Sequence, residues 1–236
     1  MSSRRPRTIG AEFQSQTKFR RGQLPGARSR GAPAFKIYAN PKEIAKLPQP
    51  HVKGGTGVWT ALSSARGEAE GGRIKDSQLS QLLWSAAGFT PAQQRVPVSS
   101  HPVSSIEVYV LALQVRNLLA GVYHYAAREH SLAHLSLGDP LQPLAGALLV
   151  DLELEAQAAL LCFTGMPDRH RATDGGRAYR YLYLDAGAAA QNVVMAAGAM
   201  GLASRLVVDF YDDELSDLLK LDGRGEHPLC LVAVGS

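Results

Sequence analysis

A long run of small residues, from Arg177 to Gly201, constrains the fold of this chain more than any other feature. It reads RAYRYLYLDAGAAAQNVVMAAGAMG and predicts a helix of roughly 23 residues, on the order of 34 Å long, with one face almost entirely Ala and Gly. Its first turns are too polar for a membrane span, yet the helix is long enough to cross a whole domain. Because small side chains let another backbone or a planar ligand approach closely, we expect this helix to be central to the fold.

The composition favours one large domain without a membrane span. The chain has 236 residues, of which 45% are apolar, and this is enough to bury a sizeable core. No stretch approaches 18 consecutive apolar residues, the length that would indicate a transmembrane helix. The two cysteines, Cys162 and Cys230, lie in apolar runs that predict buried strands. They form no disulfide framework, so we expect a cytoplasmic protein.

Positive charge is concentrated at the N-terminus. Residues 1–36 carry nine Lys or Arg against one acid, Glu12, which leaves the remaining 200 residues with a net charge of −4. The mildly acidic remainder argues against a nucleic-acid-binding surface on the domain. The basic segment itself could bind RNA, an anionic membrane or an acidic partner, or could be disordered or draped over a neighbour. We predict an extended basic arm over residues 1–57 and a single domain over 58–236.

The remaining pattern alternates strands with helices and predicts an α+β fold, with one mixed or antiparallel sheet flanked by helices. The expected elements are a helix from Asp76 to Gly88, a strand at 105–113, a hairpin of GVYHY and SLAHL, a helix at 140–149, strands at 158–163 and 204–209, a helix beginning at Asp212 and a strand at 228–234.

Five segments carry a family resemblance: LSQLLWSAAG, IEVYVLAL, GVYHY, RAYRYLYLDAGAAAQNV and HPLCLVAVG. With their order and spacing, the chain from Phe35 to Gly235 resembles the SagB-type, azoline dehydrogenase-like branch of the flavin-dependent nitroreductase superfamily. The resemblance implies a nitroreductase-like fold and a homodimer with the long helix at its interface and FMN between the subunits. It also implies two-electron redox chemistry on a heterocyclic or conjugated small molecule or a modified peptide.

The FMN phosphate is a dianion and is best bound by guanidinium groups. The family places an Arg-Arg-Ser-x-Arg run before the Leu-Ser-Gln-Leu-Leu-Trp helix, at positions that correspond here to residues 62–66. The arginine pair is replaced, and Arg66 is the cation that remains in the run. By this resemblance the candidate phosphate-binding residues are Ser63, Ser64, Arg66 and Arg95.

Three other cofactor-facing segments also differ from the family pattern. A Pro-Ser-Ala-Gly-Ala-Leu-Tyr-Pro loop is replaced by residues 98–105, where Ser99, Ser100 and His101 would line the flavin ring. The proton-transferring Lys-Tyr pair is replaced by Thr173 and Asp174. Asp174 could accept a proton, which makes Asp174 and His101 the candidate catalytic residues.

The third segment is a Gly-Gly-Phe run whose backbone amides meet the flavin edge in the family. Here the run reads Val208, Asp209, Phe210, so Val208 and Asp209 become candidate cofactor contacts. An aspartate at that edge would oppose the negative charge that builds up on reduction.

Two functions stay open after these departures. The chain is either an FMN-dependent oxidoreductase or a flavin-free relative that acts as a binding or scaffold subunit of a modifying complex, with a partner enzyme. We expect no metal site, because the sequence has no zinc-ligand spacing. His130 and His134 are expected on the hairpin surface, about 13 Å apart along a strand.

Overall fold

In the part of the chain that the computed structural model describes, seven strands form one sheet in which every neighbouring pair is antiparallel. The described residues are 8–21, 33–64, 67–99, 101, 103–221 and 225–236. The strands are β1 (Ile44–Lys46), β2 (Ile106–Ala112), β3 (Gly121–Ala126), β4 (Ser131–Leu137), β5 (Ala159–Gly165), β6 (Ala203–Val207) and β7 (His227–Gly235). Their order across the sheet is β1-β4-β3-β2-β5-β7-β6.

Helices cover both faces of this sheet. They are α1 (Ile9–Gln16), α2 (Val58–Ser64), α3 (Asp76–Ala87), α4 (Leu141–Ala147), α5 (Asp168–Asp174), α6 (Ala178–Ala199) and α7 (Asp212–Leu218). Within the described ranges, no helix is both long enough and apolar enough to cross a bilayer.

The central strands β2 and β5 are buried along their whole length, and alternate side chains enter two separate cores. In β2, Val108 and Val110 face the core that includes α3 and α6, whereas Tyr109 and Leu111 face the core that includes α4 and α7. Such near-continuous apolar strands are expected where both faces of a sheet are covered. The molecule is therefore a three-layer α/sheet/α arrangement.

Small residues allow α6 to lie close against the sheet and against α3. Ala186, Ala189 and Ala190 are buried in the same core as the sheet residues. Close packing is also needed on the sheet side, because a Cβ on Gly165 would lie 3.2 Å from Leu182 of α6. The small-residue face predicted from the sequence is therefore the packing face of the longest helix.

The α+β fold, the long helix and the hairpin are confirmed, and the sheet is antiparallel rather than mixed. The predicted extended arm differs from the structure in two respects. It contains α1, and its residues Ile44–Lys46 form β1, which pairs with Ser131–Ala133 of β4. The sheet thus begins before residue 58, because residues 44–46 supply backbone partners to the open side of β4.

The expectation that His130 and His134 lie on the hairpin surface is wrong. His134 is 2% exposed and stacks on Tyr123, with ring centroids 4.3 Å apart. His130 is half-buried in the turn, where Nδ1 lies 2.7 Å from the Tyr125 hydroxyl and Nε2 lies 2.8 Å from Ser80 Oγ. The two rings are shielded from solvent to different degrees, because β1 pairs with β4 and Ser80 of α3 contacts His130.

Two glycines in regular structure are expected to respond oppositely to alanine. A Cβ on Gly121 would lie 2.6 Å from the Ser136 carbonyl oxygen and 2.8 Å from His134 Nε2, whereas one on Gly146 in α4 would meet nothing within 4 Å. Gly121→Ala should therefore lower the free energy of unfolding by roughly 1–3 kcal/mol. Gly146→Ala should raise it by about 0.5–1 kcal/mol. Denaturant titration of both variants measures this, and equal effects would contradict the close packing of the hairpin around Gly121.

Candidate functional site

A cavity of about 570 Å³ lies along one face of α6. Its floor is made by Ala186, Gly187 and Ala190, and its far wall by residues of β6 and the segment that follows, including Arg205 and Val208. The walls are mainly apolar, with the polar exceptions Gln191, Ser204 and Arg205. Cavities of this size and character bind drug-sized ligands or cofactors.

The candidate phosphate-binding segment leads to this cavity. Gly67 lines it, and α2 ends three residues earlier at Ser64. The hydroxyls of Ser63 and Ser64 both donate to the Thr60 carbonyl of their own helix, at 2.9 and 2.8 Å, and the Ser64 hydroxyl also lies 3.3 Å from the Gly198 carbonyl of α6. Arg66 and Ser100 lie outside the described residues, and their roles stay predictions.

The two candidates after β6 have different surroundings. Val208 lines the cavity and its side chain is 56% exposed. Asp209 is exposed, and its carbonyl oxygen accepts a hydrogen bond from Leu149 N at 3.1 Å. The structure therefore places Val208 at the cavity, whereas Asp209 is bound through its backbone to the end of α4.

Arg95 and Ser99 do not line the cavity. They line a narrow cleft on another face of α6, together with Asp185 of that helix. Ser99 Oγ donates to Asp185 Oδ2 at 2.5 Å. Arg95 Nη1 donates to the Ala87 carbonyl at 2.5 Å, and its guanidinium lies 4.4 Å from the centroid of the Phe89 ring. Arg95 is thus separated from the described cavity residues by α6.

The two candidate catalytic residues are in contact. His101 Nε2 lies 3.1 Å from Asp174 Oδ2, although the direction is not that of a hydrogen bond. His101 also stacks on His170, with ring centroids 4.1 Å apart, and packs against Tyr181 in a T-shaped arrangement with centroids 5.0 Å apart. Thr173 Oγ1 donates to Asp174 Oδ2 at 2.8 Å. Two residues selected separately from the sequence therefore belong to one cluster.

His170 is the member of this cluster that the sequence analysis missed. It is 5% exposed, and its Nε2 has no hydrogen-bond partner. Burial lowers the pKa of His170, and the adjacent His101 ring lowers it further, against an opposing hydrogen bond from the His170 ring to the Val103 backbone. The Nε2 atom of this buried ring is therefore left without a partner among the described residues.

A buried ionic network holds the cluster in place. Glu107, in β2, is 8% exposed, and its carboxylate accepts from Arg169 of α5 and, at 2.8 Å, from His124 Nε2 of β3. Burial alone would raise the pKa of Glu107, but the hydrogen bond from His124 and the charge of Arg169 lower it below its ordinary value. Arg169 also donates to the carbonyls of Ser104 and Pro33, both at 2.8 Å.

A second buried carboxylate, Glu226, neighbours this network. It accepts from Lys36 Nζ and Thr164 Oγ1, both at 2.5 Å, and from the Tyr109 hydroxyl at 3.0 Å. Burial opposes the charge of Lys36, but the neighbouring Glu226 carboxylate outweighs it and raises the pKa of Lys36. Together the two carboxylates bind residues 33–38 onto the sheet.

A sequence signal for His170 existed: His170 and Asp174 are spaced i, i+4, which places both on one face of a helix. No such local signal marks Arg205 or the partnership of Glu107 with Arg169. Those contacts join residues far apart in the chain and follow only from the sheet order.

Comparison with known structures defines the class of this fold. A solved nitroreductase-like protein of Ralstonia eutropha JMP134 aligns over 90% of this chain and 95% of its own, with a TM-score of 0.69 and 22% identity. A chain in the structure of the E. coli microcin synthetase McbBCD complex with truncated pro-MccB17 aligns over 97% of this chain and 91% of its own, with a TM-score of 0.64 and 20% identity. At these identities the likeness shows a shared nitroreductase-like α+β fold.

Sequence comparison assigns the family. Residues 68–236 match the Nitroreductase family. A candidate nitroreductase of Methanocaldococcus jannaschii is 31% identical over 160 residues, which cover 67% of this chain and 79% of that protein. The chain belongs to the nitroreductase family.

Arg169 is expected to be essential to the ionic network, whereas its neighbour on α5 is not. Arg169→Lys cannot supply donors to Glu107, Ser104 and Pro33 at once, so it should lower the free energy of unfolding by about 2–4 kcal/mol. Arg171→Lys is the matched control, because Arg171 and its partner Asp168 are 57% and 54% exposed. That control should change stability by less than about 0.5 kcal/mol. Denaturant titration checks both, and a neutral Arg169→Lys would contradict the network.

Proposed function

We propose that this nitroreductase-family protein is an FMN-dependent oxidoreductase similar to the SagB-type branch, acting in the cytoplasm as a homodimer. Its substrate would be a heterocyclic or conjugated small molecule, or a modified peptide. The cavity along α6 is the observation that carries the proposal. Bound FMN would supply two-electron transfer to or from such a substrate.

The residues of the cavity fit a flavin. Ala186, Gly187 and Ala190 line the cavity with small side chains, which leave room for a planar ring system to approach α6 closely. At one side Arg205 offers a guanidinium, held by donation from Nη1 to the Asp151 carbonyl at 2.8 Å. Arginine forks suit phosphate oxygens, so Arg205 joins Arg66 as a phosphate-binding candidate, whereas Ser63 and Ser64 would have to turn their hydroxyls away from the Thr60 carbonyl to take part.

Exposed apolar side chains beside the cavity support the homodimer. Tyr183, Leu206 and Val208 line the cavity and are 59%, 51% and 56% exposed, respectively. Large apolar groups concentrated at one place on a surface are typical of an interaction site. A second copy packed there would enclose the cavity and exclude water from the bound ring.

His101 and Asp174 are proposed to serve proton transfer. Substrate oxidation or reduction by two electrons also moves protons, and an imidazole beside a carboxylate is a common acid–base pair. Ser99, two residues before His101, is bonded to Asp185 of α6, so the loop is attached to the helix that forms the cavity floor. A dimer would allow the cleft of one subunit to face the cavity of the other.

Filling the cavity tests FMN binding directly. A Cβ on Gly187 would meet nothing within 4 Å, and Gly187 lines the cavity, so the ring of Gly187→Phe is expected to occupy cavity space. We expect the wild type to retain stoichiometric FMN after desalting, and Gly187→Phe to bind it at least about 100-fold more weakly, since the apolar contact surface is lost. Visible absorbance and fluorescence titration measure both.

Gly146→Phe is the matched control, because Gly146 is also a helical glycine with open space at its Cβ, but it lies away from the cavity lining. The control should keep FMN. A wild-type protein that releases all added FMN, or equal retention by the two variants, would overturn the proposal.

The second candidate is a flavin-free relative that serves as a binding or scaffold subunit of a modifying complex. It is favoured by the fold shared with a chain of the microcin synthetase complex, and by the replacement of the family's Arg-Arg and Gly-Gly pairs in this sequence. A colourless protein unable to retain FMN, with an unchanged fold by circular dichroism, would favour this function.

A further inference from the structure

His101, His170 and Asp174 bring three potential metal ligands together from two separate elements. His101 comes from the loop before β2, whereas His170 and Asp174 come from α5. One ligand atom from each residue lies within 4.8 Å of the others, and the shortest separation is 3.1 Å, between His101 Nε2 and Asp174 Oδ2. We propose that these three side chains bind a divalent transition-metal ion, for which zinc is the best match.

The strongest sign of a ligand is the ring of His170. Its Nε2 is buried without a hydrogen-bond partner, and a buried polar atom in that state is costly. Because Nε2 is unbonded, the hydrogen bond with the Val103 backbone engages the other nitrogen, Nδ1. Metal-binding histidines have the same arrangement: one nitrogen donates to a carbonyl, which fixes the ring, and the other faces the ion.

The other two ligands are also oriented by their neighbours. The Asp174 carboxylate receives a hydrogen bond from Thr173 Oγ1 at 2.8 Å on Oδ2, the oxygen that lies beside His101, and this bond orients the carboxylate. His101 is held between the His170 ring and the edge of Tyr181. His101 Nε2 and Asp174 Oδ2 face each other without hydrogen-bond geometry, which is expected of two groups that share a third partner.

The dimensions of the cluster are close to those of a metal site. Zinc binds histidine nitrogen at about 2.0–2.1 Å with tetrahedral geometry, so two ligand atoms on one ion are about 3.4 Å apart. The widest separation, which is at most 4.8 Å, must therefore close by up to about 1.5 Å on metal binding, and the His101 ring must turn out of its stack on His170 so that both nitrogens face the ion. Two histidines and one carboxylate leave at least one coordination position open.

The charge around the three side chains and their access to solvent are also suitable for a cation. Asp174 and Asp185 place negative charge near the imidazoles. Arg177 is directed elsewhere, since its donors go to the Thr17 carbonyl and the Tyr181 hydroxyl. The His101 side chain is 24% exposed, so an ion and a water molecule can enter from that side.

A metal ion at this cluster goes beyond the proposed redox function. It would also change which group supplies the proton that accompanies the two-electron transfer. Zinc-bound water titrates near pH 7 in enzymes, so the ion would supply the acid that a free His101–Asp174 pair supplies otherwise. The ion would also attach the loop that carries His101 to α5.

The test is zinc binding by the untagged full chain, measured by competition with a chromophoric chelator after metal removal. We expect stoichiometric zinc in the wild type and affinity at least about 100-fold lower in His170→Asn and Asp174→Asn, because a direct ligand is lost. Thr173→Val should weaken binding by roughly 10-fold, since it removes the hydrogen bond that orients Asp174. Zinc should raise the melting temperature of the wild type but not of His170→Asn.

His51→Ala is the control, because His51 is exposed and lies outside the cluster. It should bind zinc as the wild type does. Wild type that binds no zinc, or equal affinity in wild type and His170→Asn, would overturn the metal site. FMN retention is measured on the same His170→Asn protein, whose metal-free form should keep FMN. Loss of FMN from the wild type would count against the redox function alone.

Discussion

The burial of one carboxylate, that of Glu107, governs how the parts of this molecule meet. A charged group on a central strand is tolerated only when it is fully paired, because an isolated buried charge costs many kcal/mol. Arg169 provides the pairing and directs its remaining donors to Ser104 and Pro33. Through one guanidinium, the sheet fixes α5, the loop before β2 and the N-terminal segment. His170 lies one residue beyond Arg169, so its position follows from the same contact.

Most of the fold can be predicted from the sequence because the relevant signals are local. The small-residue periodicity of α6, the apolar run of β2 and the polar turn between β3 and β4 each act over a few residues. The Asp76–Ala87 helix is predictable nearly to its ends, since Gly88 stops it in sequence and in structure. β1 escapes prediction because a three-residue strand has no period of its own and forms only against β4.

The candidate site is less predictable because it depends on contacts between distant segments. The sequence selects His101 and Asp174, and the structure brings them together; their chemistry stays a prediction. The sequence gives no reason to expect that Arg95 lies on the opposite side of α6 from the cavity. It also gives no reason to expect Arg205 in the cavity wall. Those positions are set by the path of β6 and by the cleft between α3 and α6, which no local pattern encodes.

The position of β7 bears on how the chain reaches its native state. This strand follows the other six in sequence, yet it lies between β5 and β6 and bonds to both. Until residues 227–235 leave the ribosome, β5 lacks a neighbour on one side and β6 is joined to no other strand. Sheets completed by such distant pairings fold slowly and expose unpaired edges meanwhile. The sheet is therefore continuous only once β7 has entered between β5 and β6, because these two strands meet each other only through it.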